Sequence, residues 1–417
     1  MPDRAQAVPP PLFTRPFILL VLGHLLQALG WSSMLLLPVY IDALGATQTQ
    51  IGWVMASASL GGLAFRPLVG WALDTRGRKP TMVTGTVVLT IAMVLLGFVQ
   101  DIGPLVYGAR CLVGIGAGAL FTGYFAWVSD FIPPSRRTEG LALFGVSGLA
   151  PIALNGVIHR LSIPVTDLNL LYPGLSILVA ASIPLLILVP ETTTLATHRK
   201  TSSISRTVGA LLQSVVRPTW GATIIFASLV AVFMSFATVT AQYRGISTPA
   251  DIWFFYASGA IGVRIFGAKL PDKIGPSNMV IPALACYASA YLLIAQTSSI
   301  TDIWWAGLMA GFGHGYCFPV LTSQVISRTP DEIRGSALAV FTALWEICAL
   351  GMTPFFGWIS DTYGSRVMFT LGVLLVVFFS VFWVISEHRA MRSLTTRCIS
   401  NDTKKRSSGS REVPREL

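Results

Sequence analysis

The sequence contains twelve apolar runs, each long enough to cross a lipid bilayer as an α-helix. A membrane span needs about 20 mostly apolar residues, and in lipid only helices and closed barrels satisfy every backbone N–H and C=O group. Charged residues make up 12% of the chain and stand mostly at the ends of these runs. We therefore predict an all-α membrane protein with twelve transmembrane helices, at residues 16–42, 49–73, 80–100, 104–131, 138–160, 169–190, 218–243, 249–268, 278–297, 303–327, 335–359 and 366–387.

The second half of the sequence repeats the first at an offset close to 197 residues. Marked positions recur in the same order: Gly114, Gly116 and Gly118 as Gly311, Gly313 and Gly315, Arg66 and Asp74 as Arg264 and Asp272, and Pro133 and Gly140 as Pro330 and Gly335. Membrane proteins built from such repeats often bind a solute near the bilayer midplane and expose it to each side in turn. The repeat predicts two pseudo-symmetric six-helix bundles, residues 16–190 and 218–388, and favours a transporter.

Basic residues are concentrated on one side of this predicted topology. Of the 29 lysines and arginines, 23 fall in the N-terminal tail (1–15), the even-numbered loops and the C-terminal tail (389–417), against three in the odd-numbered loops. Because basic loops are retained in the cytoplasm, we expect a multi-pass protein of the plasma (inner) membrane with both termini cytoplasmic. The segment 191–217 is then a cytoplasmic linker, and the Ser-, Arg- and Lys-rich tail is expected to be disordered. The net charge of +10 follows from this topology, so we expect no nucleic-acid partner.

Motifs of several enzyme classes are absent from the sequence. It has no HExxH, GxSxG or Walker-type loop, and no soluble segment long enough to hold an active site. Its five cysteines form no CxxC pair or Cys/His cluster, so we expect neither a metal nor another cofactor. Without a nucleotide-binding domain, transport would draw on a gradient, above all the proton gradient. We therefore expect a monomeric secondary carrier in the lipid bilayer that is not an enzyme and has no obligate protein partner.

A tight turn with one acid and three bases follows the second run. It reads Gly70-x-x-x-Asp74-x-x-Gly77-Arg78-Lys79. This order resembles the signature of the major facilitator superfamily, Gly-x-Leu-x-Asp-[Arg/Lys]-x-Gly-[Arg/Lys]-[Arg/Lys], with the leucine shifted to the position directly before the acid. The resemblance implies the two-bundle fold of that family.

Two further patterns resemble the same family. An arginine followed by glycines, from Arg110 to Gly118, is similar to its fourth-helix signature. A Gly- and Pro-rich stretch from Gly148 through Pro151 to Gly156 is similar to its fifth-helix signature. The second pattern favours the bacterial drug:proton antiporter group of the superfamily.

The resemblance also implies a gate. In the family, the acid of the turn pairs with basic groups near the cytoplasmic helix ends and locks one state of the transport cycle. By that analogy Asp74, Arg78 and Asp130 would form a latch. In the second copy Asp272 and Gly275 persist, but a proline and a serine stand where the bases would be, so we expect the second latch to be weaker.

Glu346 is the only one of the 19 acidic residues near the middle of a predicted span. A charged side chain at that depth costs about 2.5–3.5 kcal/mol if it faces lipid, so it is expected to be paired, neutral or open to water. Three roles remain open for Glu346: handling the coupling proton or another cation, contacting a cationic group of the substrate, or forming a structural hydrogen bond.

Two other polar residues of the spans are candidates for proton coupling. His314 lies in the second glycine series, and either relays a proton or forms a hydrogen bond between helices. The family resemblance implies a coupling role for Arg110. Many proton-coupled members also have an acid near that arginine in the first or fourth span, and this sequence has none there.

A polar stripe on the first span is a candidate substrate face. His24, Gln27 and Trp31 fall at i, i+3 and i+7, on one side of a helix. Thr238 and Gln242, at i and i+4 of the seventh span, are candidates for the same space, since the first and seventh helices line the cavity in the family. Each of these residues is equally compatible with a polar packing contact.

Small residues predict where helices approach closely. Gly114 and Gly118 follow Arg110 at intervals of four, and Gly311 and Gly315 repeat this spacing. Glycines at such intervals let helix backbones pack against each other, and Pro151 interrupts the fifth run. We assign all five to helix packing.

Three functions are compatible with these features. The first is proton-coupled efflux of a small organic or amphipathic molecule by alternating access, favoured by the sparse set of polar residues in the spans. The second is proton-coupled uptake of a small metabolite. The third is a membrane scaffold or sensor that no longer transports, and the intact turn motif argues against it.

Overall fold

The computed structural model describes residues 11–133, 136–161, 163–192, 209–213, 215–267, 269–330 and 333–409. Regular structure in this part of the chain is helical, without a strand. Twelve transmembrane helices follow one another in two sets of six, which confirms the predicted fold class. Nine stretches of the described helices are long and apolar enough to cross a membrane by length and composition alone; α8, with 16 residues, falls short on length.

The first half contains α1 to α6. They are α1 (Arg15–Trp31, extended by a 3₁₀ turn Ser32–Leu36 and by Leu37–Ala43), α2 (Gln48–Thr75), α3 (Arg78–Leu96), α4 (Pro104–Phe131), α5 (Arg137–Leu149, continued by a 3₁₀ turn Ala150–Ala153 and by Leu154–Arg160) and α6 (Leu171–Leu188, preceded by the 3₁₀ turn Val165–Leu170). Pro151 stands in the turn that interrupts α5, as expected of a residue with no N–H to donate.

The second half contains α7 to α12. They are α7 (Arg217–Tyr243), α8 (Asp251–Phe266), α9 (Pro276–Gln296), α10 (Ile300–Arg328), α11 (Arg334–Tyr363) and α12 (Ser365–Gly409), with a short helical turn Leu270–Ile274 between α8 and α9. We call the end of the bundle where α1 begins the near end, and the end where Ala43 lies the far end. Because successive helices alternate in direction, α2 runs from the far end to the near end.

The two halves pack in the same way, as their sequence repeat requires. In the first half α4 packs against α2 and α3, and in the second α10 packs against α8 and α9. Gly77 and Gly275 occupy equivalent positions, at the starts of α3 and α9, with φ of 101° and 90°. Only glycine adopts such angles without strain, so the same turn is built twice.

Two pairs of helices form the most extensive contacts between the halves. On one side α2 packs along α11, and on the other α5 packs against α8. These pairs are equivalent under the repeat, since α5 and α11 correspond and α2 and α8 correspond. Residues on the facing surfaces of these four helices therefore form most of the interface between the halves.

The outer surface is apolar enough to face lipid. Large apolar side chains project from it, for example Phe98, Ile177 and Phe378, which are 67%, 68% and 76% exposed. No soluble environment would favour so many exposed apolar groups. The helices therefore present a surface suited to a bilayer.

The C-terminal tail differs from its prediction. We expected residues 389–417 to be disordered, whereas α12 continues as helix to Gly409. The sequence between Ser365 and Gly409 contains no proline and only one glycine, Gly372, so neither of the two strongest helix-breaking residues ends the helix earlier. Residues 1–10, most of the linker (193–208) and residues 410–417 lie outside the described part of the chain.

Candidate transport site between the two halves

Glu346 of α11 faces α2 across the interface between the halves. Its Oε1 lies 3.5 Å from Nη2 of Arg66, and the two side chains are 26% and 22% exposed. The carboxylate lies against Gly62, where a Cβ would stand 3.2 Å from Oε1. The acid in the middle of α11 therefore has a cationic partner in the other half of the protein.

Arg66 is also bound to the backbone and side chain of Thr342. Nη1 donates to the Thr342 hydroxyl, and Nη2 lies 3.4 Å from its carbonyl oxygen. Thr342 precedes Glu346 by one helical turn, so the two residues lie on the same face of α11. The guanidinium of Arg66 contacts both of them. Arg66 thus connects α2 to α11 near the middle of the bundle.

Arg110 holds α2 against α4. Its side chain is 5% exposed and donates from Nε to the carbonyl of Val54 at 3.4 Å and from Nη2 to that of Met55 at 3.2 Å. It is also close enough to Glu346 for an electrostatic interaction. Arg110 therefore connects α2 to α4 and also places a positive charge near Glu346.

His314 makes its hydrogen bond inside the second half. Nδ1 lies 2.6 Å from the hydroxyl of Tyr256 on α8, and no hydrogen bond joins it to Glu346. The imidazole stacks on Phe318, with ring centroids 6.1 Å apart. The hydrogen bond between helices is the role that this geometry supports.

Aromatic rings surround His314. Trp345 lies beside it on α11, with ring centroids 6.1 Å apart, and Phe226 of α7 lies 5.5 Å away. Phe341 and Phe318 are in contact with Trp345, at centroid distances of 6.4 and 5.6 Å. We call these five residues the aromatic cluster: Phe226, His314, Phe318, Phe341 and Trp345.

The polar stripe of α1 does not face one space. His24 binds Ser147 of α5, with Nδ1 2.7 Å from Oγ, and Trp31 is 43% exposed. Gln27, which we predicted on the substrate face, is 2% exposed inside the first half and donates to Thr86 and Ser182 at 2.9 and 2.8 Å. A step of three residues turns by about 60° around a helix, which is enough to point Gln27 at α3 and α6 instead.

The predicted residues of α7 also lie inside the second half. Thr238 is 3% exposed and accepts a hydrogen bond from Nε1 of Trp253 at 2.9 Å. Gln242 is partly buried near the far end, and its Oε1 has no hydrogen-bond partner among the described residues. In this state Thr238 acts as a packing contact rather than as part of an open substrate face.

The turn motif holds together the near end of the first half. Arg78 pairs with Asp130, with Nε 2.7 Å from Oδ2. Asp74 is exposed and makes no hydrogen bond or ion pair with any residue that the structure describes, and a Cβ added at Gly70 would meet nothing within 4 Å. The Arg78–Asp130 part of the predicted latch is therefore formed within one half, while Asp74 stands apart.

Glu191 is a member of this cluster that the sequence did not identify as such. Its carboxylate accepts hydrogen bonds from the backbone N–H groups of Arg78 and Lys79, at 3.1 and 2.9 Å. The free N–H groups at the start of a helix attract an acid in this way. Lys79 in turn donates from Nζ to the carbonyl of Ile187 at 2.9 Å. The end of α6 is thereby attached to the start of α3.

The second half has its own ion pair at the near end, with the cation on a different helix. Arg328 of α10 donates to Glu387 of α12, with Nη1 3.0 Å from Oε2, and Ser277 donates to the same carboxylate at 2.6 Å. The sequence comparison looked for a base at the start of α9, where the first half has Arg78 and Lys79. It therefore did not predict an ion pair whose cation lies on α10. The side chain of Asp272 lies outside the described part of the structure, and Gly275 directly precedes α9.

The predicted packing glycines lie where helices approach closely. A Cβ on Gly114 would overlap the carbonyl of Ala58 on α2, and one on Gly311 would overlap that of Tyr256 on α8. Gly315 leaves 3.0 Å to the side chain of Val263, whereas Gly118 has only the Cα of Gly62 nearby, at 3.6 Å. The four positions therefore differ in how tightly they are packed.

The far end is closed by a carboxylate that binds across the halves. Asp361 of α11 accepts hydrogen bonds from the backbone N–H groups of Gln48 and Thr49, both at 2.8 Å, and from the Thr49 hydroxyl at 2.6 Å. These are unsatisfied donors of the first turn of α2, so Asp361 caps a helix of the other half. Closer to the middle of the bundle, the Thr353 hydroxyl donates to the carbonyl of Gly52 at 3.0 Å.

Further bonds join the halves at the far end, among them one between Nε2 of His159 and the carbonyl oxygen of Ser247 at 3.4 Å. Arg160 pairs with Asp251 at 2.9 Å, and Tyr243 donates to Asp42 at 2.6 Å. Two hollows lie there between residues of both halves: one of about 10 Å³, which has room for one water molecule at most, and a wider one of about 330 Å³ whose lining includes Gln48, Tyr243 and Asp361. The contact of Arg66 with α11 lies near the middle of the bundle, and the bonds of Thr353 and Asp361 to α2 lie closer to the far end. The far end is therefore the closed end in this state.

We expect Asp361→Ala to open the far end more often. Loss of a helix cap costs roughly 0.5–2 kcal/mol. If this cost falls on the closed state, the fraction of molecules with an open far end rises by about 2- to 30-fold. The measurement is the rate at which an impermeant maleimide, applied at the far side, labels a cysteine placed at Thr353 in a variant without native cysteines.

The matched control for this experiment is Asp101→Ala. Asp101 is an exposed acid on the same end of the protein, in the connection between α3 and α4, and it makes no bond to any described residue of the second half. Its removal is expected to leave the labelling rate unchanged. Equal rates in the two variants would show that Asp361 does not hold the far end closed.

Comparison with known proteins agrees with this arrangement of two equivalent bundles. The sequence profile of the Major Facilitator Superfamily matches residues 20–352. The chain belongs to this superfamily. The match confirms the family that the turn, fourth-helix and fifth-helix motifs indicated. The protein is accordingly a multi-pass membrane protein of a transporter family.

Relatives in the superfamily span nearly the whole chain. An uncharacterised MFS-type transporter of Salmonella typhimurium (strain LT2) is 25% identical over 359 residues, covering 81% of this chain and 87% of that protein. The multidrug resistance protein MdtG of Serratia proteamaculans (strain 568) is 23% identical over 398 residues, covering 89% and 93%. A crystal structure of a POT family transporter in complex with a thioalcohol-conjugated peptide has a TM-score of 0.77 at 12% identity, covering 90% of this chain and 96% of that one, which shows a shared fold.

Proposed function

We propose that this protein is a secondary active transporter that exports a small organic or amphipathic molecule in exchange for protons, by alternating access. The contact between Glu346 and Arg66 carries the proposal. It puts a titratable group on the surface where the two halves meet and must move. The multidrug resistance proteins MdtL of Citrobacter koseri and MdtG of Serratia proteamaculans, each 23% identical, support export over import.

Glu346 carries the coupling proton in this proposal. As a carboxylate it pairs with Arg66 and draws α11 towards α2. Once protonated, it no longer neutralises the guanidinium, so the contact weakens and the halves separate more easily. Proton binding and substrate binding then favour different states of one interface, which is the requirement for exchange.

The basic loops orient the protein in this proposal. They place the near end in the cytoplasm, because α1 begins there and the turn motif with Arg78 and Lys79 lies there. The state with a closed far end is then the inward-facing one. It is the state in which a molecule made inside the cell would bind before export.

The proposal is tested first by comparing metabolites inside and outside cells with and without the gene. We expect at least one organic compound to accumulate in cells that lack the protein. With that compound, purified protein in liposomes should drive transport against a concentration gradient when a pH gradient is imposed, and reversal of the pH gradient should reverse the flux. Faster entry into cells that contain the protein would favour uptake, and no difference in any compound would favour a scaffold or sensor.

Asp74 is proposed to act when the near end closes. It has no partner among the described residues in the present state, although its neighbours Arg78 and Asp130 are paired. We expect Asp74→Asn to slow turnover by roughly two- to fivefold, since a charge near a helix terminus contributes about 0.3–1 kcal/mol. Substrate affinity should stay the same. Turnover is measured in liposomes, with Asp167→Asn, an exposed far-end acid, as control; equal turnover in both variants would remove this role from Asp74.

A further inference from the structure

Arg264 of α8 is a cation without a partner in the described part of the chain. It makes no hydrogen bond or ion pair with any residue that the structure describes, and its Nε is buried and unbonded. Arg264 is the repeat counterpart of Arg66, 198 residues later. Arginine has five N–H donors and no acceptor, and at this position at least the donor on Nε is buried without a partner among the described residues.

The two arginines meet different surfaces across the interface. Arg66 reaches α11, where Thr342 and Glu346 accept and neutralise it. Arg264 reaches the equivalent helix α5 at Gly145, so closely that a Cβ there would overlap Nη1. A glycine offers no side chain to bind a guanidinium. The fold therefore supplies an anionic partner at one of two equivalent contacts and leaves it out at the other.

The aromatic cluster lies close to this unpaired cation. Arg264 is near enough to Tyr256 and His314 for an electrostatic interaction with both. His314 contacts Trp345, whose Nε1 is buried and has no hydrogen-bond partner among the described residues. A guanidinium and an indole N–H, both without acceptors among the described residues, thus lie near the same imidazole. Both groups only donate, so the ligand that satisfies them must bring acceptors.

We propose that Arg264, together with the indole N–H of Trp345, binds an anionic group of the exported molecule, while a planar apolar part of that molecule lies on the aromatic cluster. The proposal rests on the export function above and adds the substrate class: an aromatic or similarly planar organic acid. The substrate anion would occupy the contact between α5 and α8, and the coupling proton the equivalent contact between α2 and α11. Each side of the interface would then respond to one of the two transported species.

The test uses three probes that share one ring and differ in charge. They are indole-3-acetate, its neutral amide indole-3-acetamide, and the cationic tryptamine. Dissociation constants are measured by calorimetry for the full-length protein in phosphatidylcholine nanodiscs, where no anionic lipid competes. We expect indole-3-acetate to bind at least about tenfold more tightly than the amide, the ratio that one charge-assisted hydrogen bond supplies.

Substitutions assign the preference to particular residues. Arg264→Gln should bring indole-3-acetate down to the affinity of the amide and leave the amide itself unchanged, and Arg264→Lys should keep part of the preference. Trp345→Phe, which removes the N–H but keeps a ring, should cost a smaller factor. Arg244→Gln is the matched control, because Arg244 already binds the carbonyls of Thr297 and Ala295 at the far end. Size-exclusion profiles check that each variant is folded.

Four outcomes would overturn this proposal: equal affinity for the acid and the amide, tighter binding of tryptamine, no binding of any probe, or a preference that persists in Arg264→Gln. Failure of the proposed export function would give a different set of results. If the acid is bound through Arg264 but no compound is exported by cells or liposomes, the anion site stands and the export proposal falls. If export is driven by protons but Arg264→Gln leaves the charge preference intact, the reverse holds.

Discussion

Export driven by a pH gradient is expected to fall by about 100-fold in Glu346→Gln, the size of effect that loss of a proton-transferring group commonly has. Glutamine retains the size of glutamate and an oxygen that can accept a hydrogen bond, but it cannot form the ion pair with Arg66. It neither binds nor releases a proton. Exchange of labelled for unlabelled substrate across the membrane, which needs no net proton transfer, should continue in the same liposomes.

The comparison of the two assays distinguishes the possible roles of Glu346. Glu139→Gln serves as control, because Glu139 lies on the near end, pairs with Arg136 at 2.7 Å and is 51% exposed. It should retain both activities within about twofold, since exposed ion pairs contribute about 1 kcal/mol or less. Loss of exchange as well as driven export in Glu346→Gln would indicate a substrate contact or a structural bond, and full retention of both would exclude proton coupling through this residue.

The largest expected effect on stability comes from Gly114→Ala. A Cβ at this position would overlap the carbonyl of Ala58, so α2 and α4 would have to separate. Overpacking of this kind costs about 1–3 kcal/mol, which lowers the melting temperature by several degrees in a protein of this size. The melting temperature is measured on detergent-purified protein by intrinsic fluorescence, with size-exclusion chromatography as a second readout.

Gly118→Ala is the control for that substitution. Gly118 lies one helical turn further along the same helix, and its new Cβ would have only the Cα of Gly62 in range, at an ordinary contact distance of 3.6 Å. We expect its melting temperature to stay within about 1 °C of the original, because alanine also favours helix over glycine. Similar losses in both variants would mean that the close approach at Gly114 is not what limits stability.

These two glycines illustrate what the sequence does and does not predict. Membrane-spanning helices follow from apolar runs of fixed length, and two equivalent bundles follow from the repeat, so the fold was predicted correctly. The small-residue spacing indicated close helix contacts on α4 and α10. It did not reveal that a backbone carbonyl lies within overlap distance at Gly114 and not at Gly118, because that depends on the rotation of α2 against α4.

The candidate site was predicted less completely. Glu346 stood out because an acid in mid-span is costly, but its partner Arg66 was noted only as a marker of the repeat. A duplicated arginine inside two spans was the signal that would have found it. Gln27 was misplaced because helix spacing gives a side chain's direction relative to its own helix, not to the neighbours. The pair of Arg328 and Glu387 was missed because the two residues lie on different helices, α10 and α12, and nothing in the sequence shows that these side chains meet in the fold.

The closure of the far end has a consequence for how this site tolerates sequence change. Asp361 binds the main chain of residues 48 and 49, and every amino acid except proline supplies the same N–H groups there. The bonds to Asp361 therefore restrict position 361 more than position 48, whose side chain donates separately to Asp42 at 3.1 Å, and no complementary charge swap exists to rescue the loss of Asp361. Related chains that keep an aspartate at position 361 are thus expected to close the far end in the same way. Those with another residue there are expected to close it through different contacts.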